Sequence, residues 1–188
     1  MKFTNYNTEA KKRGMGGDFF NLADGENRIR VLTEMESLTQ HFMGEGIKPV
    51  ACQGEPHCEH CANGKRPNTK VMLYVLDRMD NKIKLAKLPW SIYRELSTLA
   101  ESSEWGFKNL PPYDIIIKKS GKGLQTEYAV SPSRNEDPLS PAQDQELKDK
   151  KSIAEIVSNF NTGSREDAPL VYQEPIDASE LKDVDLPF

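Results

Sequence analysis

The sequence predicts a mainly β fold: a small five-stranded barrel with one core helix between the third and fourth strands, a metal-binding insertion, and a disordered acidic C-terminal tail. Three observations carry this expectation. Strand-type alternation recurs in one opening run and two hairpins, a single amphipathic stretch at helical spacing separates the hairpins, and all cysteines and histidines fall between His41 and Cys61.

Composition sets the frame for these elements. The 188 residues are 37% hydrophobic and 29% charged, with a mean hydropathy of -0.66, which suits one core with polar ends. Unbroken apolar runs are too short for a membrane span or a signal core, so the chain reads as soluble and cytoplasmic. Residues 1–134 carry a net charge of +4 and residues 135–188 a net charge of -8. A weakly basic body with an acidic arm suits a polyanion binder with an interaction or autoinhibitory tail, although a solvated charged surface gives the same totals. An odd count of three cysteines argues against a disulfide framework.

Met1 to Gly17 is polar, with Lys11, Lys12 and Arg13 ahead of three glycines, and reads as a mobile basic arm. Asp24 and Gly25 turn the chain into a first strand at Arg28 to Thr33, extended or bent through Leu38 to Met43. From Gly44 to Asn68 periodicity is lost and Gly, Pro, Cys and His accumulate, as in an irregular insertion. Val71 to Arg78 is apolar on both alternating faces; after Asp80 and Asn81, Lys82 to Leu88 returns as its hairpin partner. Pro89 stands where a first helical residue would, followed by Trp90, Tyr93, Leu96 and Leu99 on one stripe, so a core helix is predicted to about Ala100. Tyr113 to Lys119 and Leu124 to Val130 flank Ser120 to Gly123 as a second hairpin. The core is expected to end at Pro132, with a short helix over Lys148 to Phe160 and disorder from Asn161 onward.

Strand, hairpin, helix, hairpin is the order of the five-stranded oligonucleotide-binding (OB-fold) barrel. The chain then divides into a basic arm (1–17), an OB-fold domain (18–131) with its zinc insertion at 41–64, a linker with a short helix (132–160) and an acidic tail (161–188).

Within the insertion, thiolates and imidazole together suit tetrahedral zinc, and Cys58 with Cys61 has the CxxC spacing that aims two sulfurs at one ion. His41, Cys52, Cys58 and Cys61 would fill a closed, structural site. His57 and His60 are rival fourth ligands, and three reduced cysteines with incidental histidines is the plainer alternative. His57, Cys58 and Glu59 begin a deaminase-like HxE, but the only CxxC overlaps it, so that enzyme motif is incomplete. No other catalytic motif is present, and no enzyme activity is expected.

Single-stranded nucleic acid is held by cations along the phosphates and by rings on which bases stack. Candidate contacts are Lys65, Arg66 and Lys70 before or at the first hairpin, Tyr74, Arg78, Lys82 and Lys84 within it, Trp105 and Phe107 in a loop free for stacking, and Lys118, Lys119, Lys122 and Tyr128 in the second hairpin. Taken singly, each lysine has a solvated face and each ring a core position as its simpler explanation.

Gly25 to Leu32, the order His41, Cys52, Cys58, Cys61, the pair Lys65 and Arg66 before the Val71 strand, and Leu88-Pro89-Trp90 opening the helix together resemble the phage helix-destabilising single-stranded-DNA-binding proteins of T-even type. The resemblance covers about residues 18–131. It implies a zinc-containing OB fold, sequence-tolerant binding of single-stranded DNA in a basic aromatic cleft, and roles in phage DNA replication, recombination and repair. It also implies that the basic arm, here Lys11, Lys12 and Arg13, supports cooperative self-association on DNA. The ending, Asp183, Val184, Asp185, Leu186, Pro187 and Phe188, is instead similar to the acidic Pro-Phe tips of bacterial single-strand-binding proteins, which implies that Asp183, Asp185, Leu186, Pro187 and Phe188 recruit replication or recombination proteins. The leading expectation is a non-enzymatic binder of single-stranded DNA. Its rival is a zinc-containing protein-interaction adaptor that does not touch nucleic acid.

Overall fold

The structure, a computed structural model, describes residues 19–44 and 47–162. The basic arm with Lys11, Lys12 and Arg13 and the tail with Asp183, Asp185, Leu186, Pro187 and Phe188 lie outside the described residues.

Eight strands form one open, mixed sheet: β1 (Phe19–Phe20), β2 (Gly25–Val31), β3 (Glu36–His41), β4 (Val50–Ala51), β5 (Asn68–Asp77), β6 (Lys82–Pro89), β7 (Ile115–Ser120) and β8 (Glu127–Pro132). Their order is β1-β6-β5-β2-β7-β8, with β3 also on β5 and β4 on β3; only the β1–β6 pair is parallel. No pairing closes this sheet into a barrel among the described residues. Among the described residues the helices are α1 (Glu59–Ala62), α2 (Trp90–Ala100), α3 (Pro141–Asp149) and α4 (Ile153–Thr162), and none of these is long and apolar enough to cross a membrane.

The single bent opening strand is two strands laid end to end along β5. Ile29 to Val31 pair with Asp77 to Val75, and Glu36 to Gln40 pair with Met72 to Asn68. Tyr74 holds the joint from both sides, its carbonyl accepting from Leu32 N at 3.0 Å and its amide donating to Thr33 Oγ1 at 2.9 Å. The break therefore costs no buried backbone hydrogen bond at Tyr74.

The doubly apolar β5 has the physical cause its pattern implies, since both faces of the sheet are covered. Val71, Leu73 and Val75 join Ile29, Ile115, Ile117, Tyr113 and the α2 residues Ile92 and Leu96 in one core. Met72, Tyr74 and Leu76 join Leu38, Ile83, Leu85 and the α4 residues Ile153 and Val157 in a second. Burying apolar surface at about 25 cal/mol per Å² gives each face a share of the stability. The expectation that the core ends at Pro132 is thus corrected: residues 132–160 contain two helices, and the second covers a sheet face. Ser140 caps α3 through a capping box with Gln143, whose side-chain amide also donates to the Asn81 carbonyl at 3.1 Å in the β5–β6 turn.

Two boundaries differ locally from the sequence reading. Pro89 is the last residue of β6, with an extended ψ of 149°, so α2 begins at Trp90. In the second hairpin Leu124 falls in a short 3-10 turn (Gly123–Gln125), which delays the return strand to Glu127. Gly121 permits that loop: its φ is +77°, and a Cβ there would stand 2.0 Å from the Gln125 carbonyl oxygen.

Candidate functional site

The insertion is built outward from β3. His41 ends that strand opposite Val50, and Cys52 is fixed beside it by its amide donating to the Thr39 carbonyl at 2.8 Å. Gly54, at φ +76°, then reverses the chain, its carbonyl accepting from His57 N at 3.0 Å and Cys58 N at 2.9 Å. Cys58 caps α1, and the single turn of helix returns Cys61 to the same side.

The result brings four donor atoms, from His41, Cys52, Cys58 and Cys61, within 4.8 Å of one another. Cys58 Sγ is 3.2 Å and Cys61 Sγ 3.5 Å from His41 Nε2, while Cys52 Sγ and Cys61 Sγ are 3.5 Å apart. A tetrahedral ion with bonds of about 2.3 Å to sulfur and about 2.0 Å to nitrogen has donor-to-donor edges of roughly 3.5–3.8 Å. The donor set therefore fits such an ion with small adjustments. His41 and Cys58 are buried, and the ring turns Nε2 toward the sulfurs while Nδ1 has no hydrogen-bond partner among the described residues. His60 stays outside the cluster, its ring centroid 5.2 Å from that of His41, and His57 is exposed.

Electrostatics give the same answer. The backbone N–H of Cys61, working with those of Gln53 and His60 against the opposing effect of burial, lowers the Cys58 thiol to about 6. Burial, then the neighbouring sulfurs of Cys52 and Cys58, push Cys61 up to about 12. The Cys58 thiolate forms readily and that of Cys61 resists, because burial and the adjoining sulfurs both oppose its negative charge. A divalent ion held by the four donors would favour the thiolate form of all three cysteines.

The candidate nucleic-acid contacts scatter. Lys65, Arg66, Lys82, Lys118 and Lys122 are exposed, and Lys70 and Tyr128 are half-buried. Lys119 pairs with Asp24 at 3.1 Å. Four candidates require correction. Tyr74 lies in the second core beneath α4, with Lys150 Nζ 5.8 Å from its ring centroid, so no base can reach its face. Lys84 is 2% exposed and bonded to Asp77 at 2.8 Å and Asp80 at 2.7 Å. Trp105 and Phe107 pack against the first core, each edge-on to Tyr113, rather than standing free in their loop.

Two features escaped the sequence reading. Asp114, fully buried, accepts from Arg30 Nε at 2.8 Å and from Arg78 Nε at 2.9 Å, and Asn135 Nδ2 adds a third donor at 2.8 Å. This cluster ties the chain after β8 to β2 and to the end of β5, and its remaining positive charge borders an open cleft of about 300 Å³ lined by Glu26, Arg28, Arg78, Met79 and Ile116. Trp90, assigned to the apolar stripe of the helix, is instead 40% exposed and lies face to face with Tyr93 at 4.5 Å. No sequence signal distinguishes it, because it shares the helical spacing of Tyr93, Leu96 and Leu99.

No protein family, curated protein or solved structure matches the chain.

Proposed function

We propose that the protein is a non-enzymatic binder of single-stranded DNA in which His41, Cys52, Cys58 and Cys61 hold a structural zinc ion. The observation that carries this reading is the separation of its cations into two groups. Lys84, Arg78 and Lys119 are each paired with an acid, whereas Lys65, Arg66, Lys82, Lys118 and Lys122 are presented to solvent. Exposed cations on a mainly β scaffold supply the phosphate contacts that sequence-tolerant binding needs. Zinc is the ion that three thiolates and an imidazole select, and four protein donors complete its shell. The acidic tail outside the described residues is the element that would recruit partner proteins.

Fluorescence titration with an oligothymidine and with duplex of equal length tests the reading. Single strands should bind more tightly, and log K should fall with log salt by roughly 0.7 per phosphate neutralised. Equal affinity for duplex, or no salt dependence, would sink it. A second reading, the protein-interaction adaptor, is favoured by one observation: Phe42, Ile47 and Val50 are large exposed apolar residues on the insertion. Charge reversal of Lys65 and Arg66 to Glu, both exposed, separates the two, since it should weaken DNA binding and leave an apolar docking surface unaltered.

A further inference from the structure

Resting on the DNA-binding reading, we infer that unpaired bases stack at the metal-bearing end of the sheet, on Trp90 and Phe42, and that this end rather than the outer face of the β5–β6 hairpin is where the strand is held. The hairpin's outer face is closed by α4, which leaves Met72, Tyr74 and Leu76 inside a core. Large exposed rings among the described residues are Phe42, 61% exposed, and Trp90, 40% exposed.

Register places both at one end. At Lys70 the strand β5 has Leu38 of β3 on one side and Pro89 of β6 on the other. Phe42 follows β3 directly and Trp90 follows β6 directly, so two strand spacings, about 10 Å, separate the strands that carry them. Lys65 and Arg66, both exposed, enter β5 from this same end, and Lys70 lies on it. Rings flanking cations match a polyanion whose bases are free to stack. Trp90 is held ready for this role: Leu88 before it and Ile92 after it are buried, and Tyr93 backs one face of the indole. The other ring follows the buried His41 directly in the chain, and Lys65 lies four residues beyond Cys61, its amide donating to the His60 carbonyl at 3.0 Å.

The sequence holds two tryptophans, so Trp105→Phe leaves Trp90 as the sole indole. Oligothymidine should quench that emission with the same midpoint as the binding isotherm, and duplex of equal length should not. Trp90→Ala and Phe42→Ala, both at exposed positions, should each lower affinity roughly 5- to 150-fold while leaving the thermal melt close to that of the unaltered chain. Unchanged affinity in both variants, or unquenched Trp90 emission with the oligomer bound, would overturn this placement while leaving the DNA-binding reading intact. Failure of the unaltered chain to bind single strands would overturn both.

Discussion

Lys84 shows how far a side chain's role depends on what lies across the sheet. Alternation along β6 assigns it to a solvated face, yet it stands opposite Val75 and bonds diagonally to Asp77 on β5 and to Asp80 in the turn. Burial works against its charge, but the hydrogen bonds and attraction of the two carboxylates prevail and raise its pKa above the ordinary lysine value. A raised value means that the stabilisation is fully present below the unfolded pKa of about 10.4 and is lost as pH climbs through the folded one. Lys84→Ala should therefore cost about 3–5 kcal/mol in urea unfolding between pH 6 and 9, because two carboxylates lose their buried partner, and the gap to the unaltered protein should narrow above pH 10.4. A deficit under about 1 kcal/mol would show that solvent already screens the pair. Asp114 makes the complementary case: with two arginines on one buried carboxylate, Asp114→Ala should destabilise by a similar 3–5 kcal/mol, whereas an exposed pair such as Lys148 with Asp144 should contribute under about 1 kcal/mol.

At the level of elements, α4 and the insertion carry the informative differences. The sequence shows the stripe of Ile153, Ile156, Val157 and Phe160 but not its destination, since an amphipathic helix announces a face without naming what it covers. Its cover is the second core, so Ile153→Ala should lower stability by about 2–5 kcal/mol, as expected for a truncated buried side chain, whereas a linker helix would give under about 0.5. The insertion rests on less apolar surface. Cys58 and His41 are its buried anchors, and α1 has a single turn. Chelation should therefore release residues between His41 and Arg66 to hydrogen exchange while the amides of β5 and β6 stay protected, because both cores are built without the ligands. Uniform loss of protection across the sheet would mean that the ion holds the whole domain together.

Across the whole molecule, an open sheet covered on both faces, with a four-donor cluster at one end and exposed cations, unites these parts. What the sequence alone determined is local. Two hairpins, a helix between them and the grouping of His41, Cys52, Cys58 and Cys61 all follow from period, turn residues and spacing within a few tens of positions. Tertiary structure decided which residues are available. Tyr74, Lys84, Trp105 and Phe107 have the right chemistry for a nucleic-acid surface and are taken up by the fold, while Trp90 bears core patterning and meets solvent. Alternation distinguishes two faces of a strand but not which face remains open to water. That depends on helices folded back from distant segments, and burial is a property of the assembled sheet rather than of any stretch of chain.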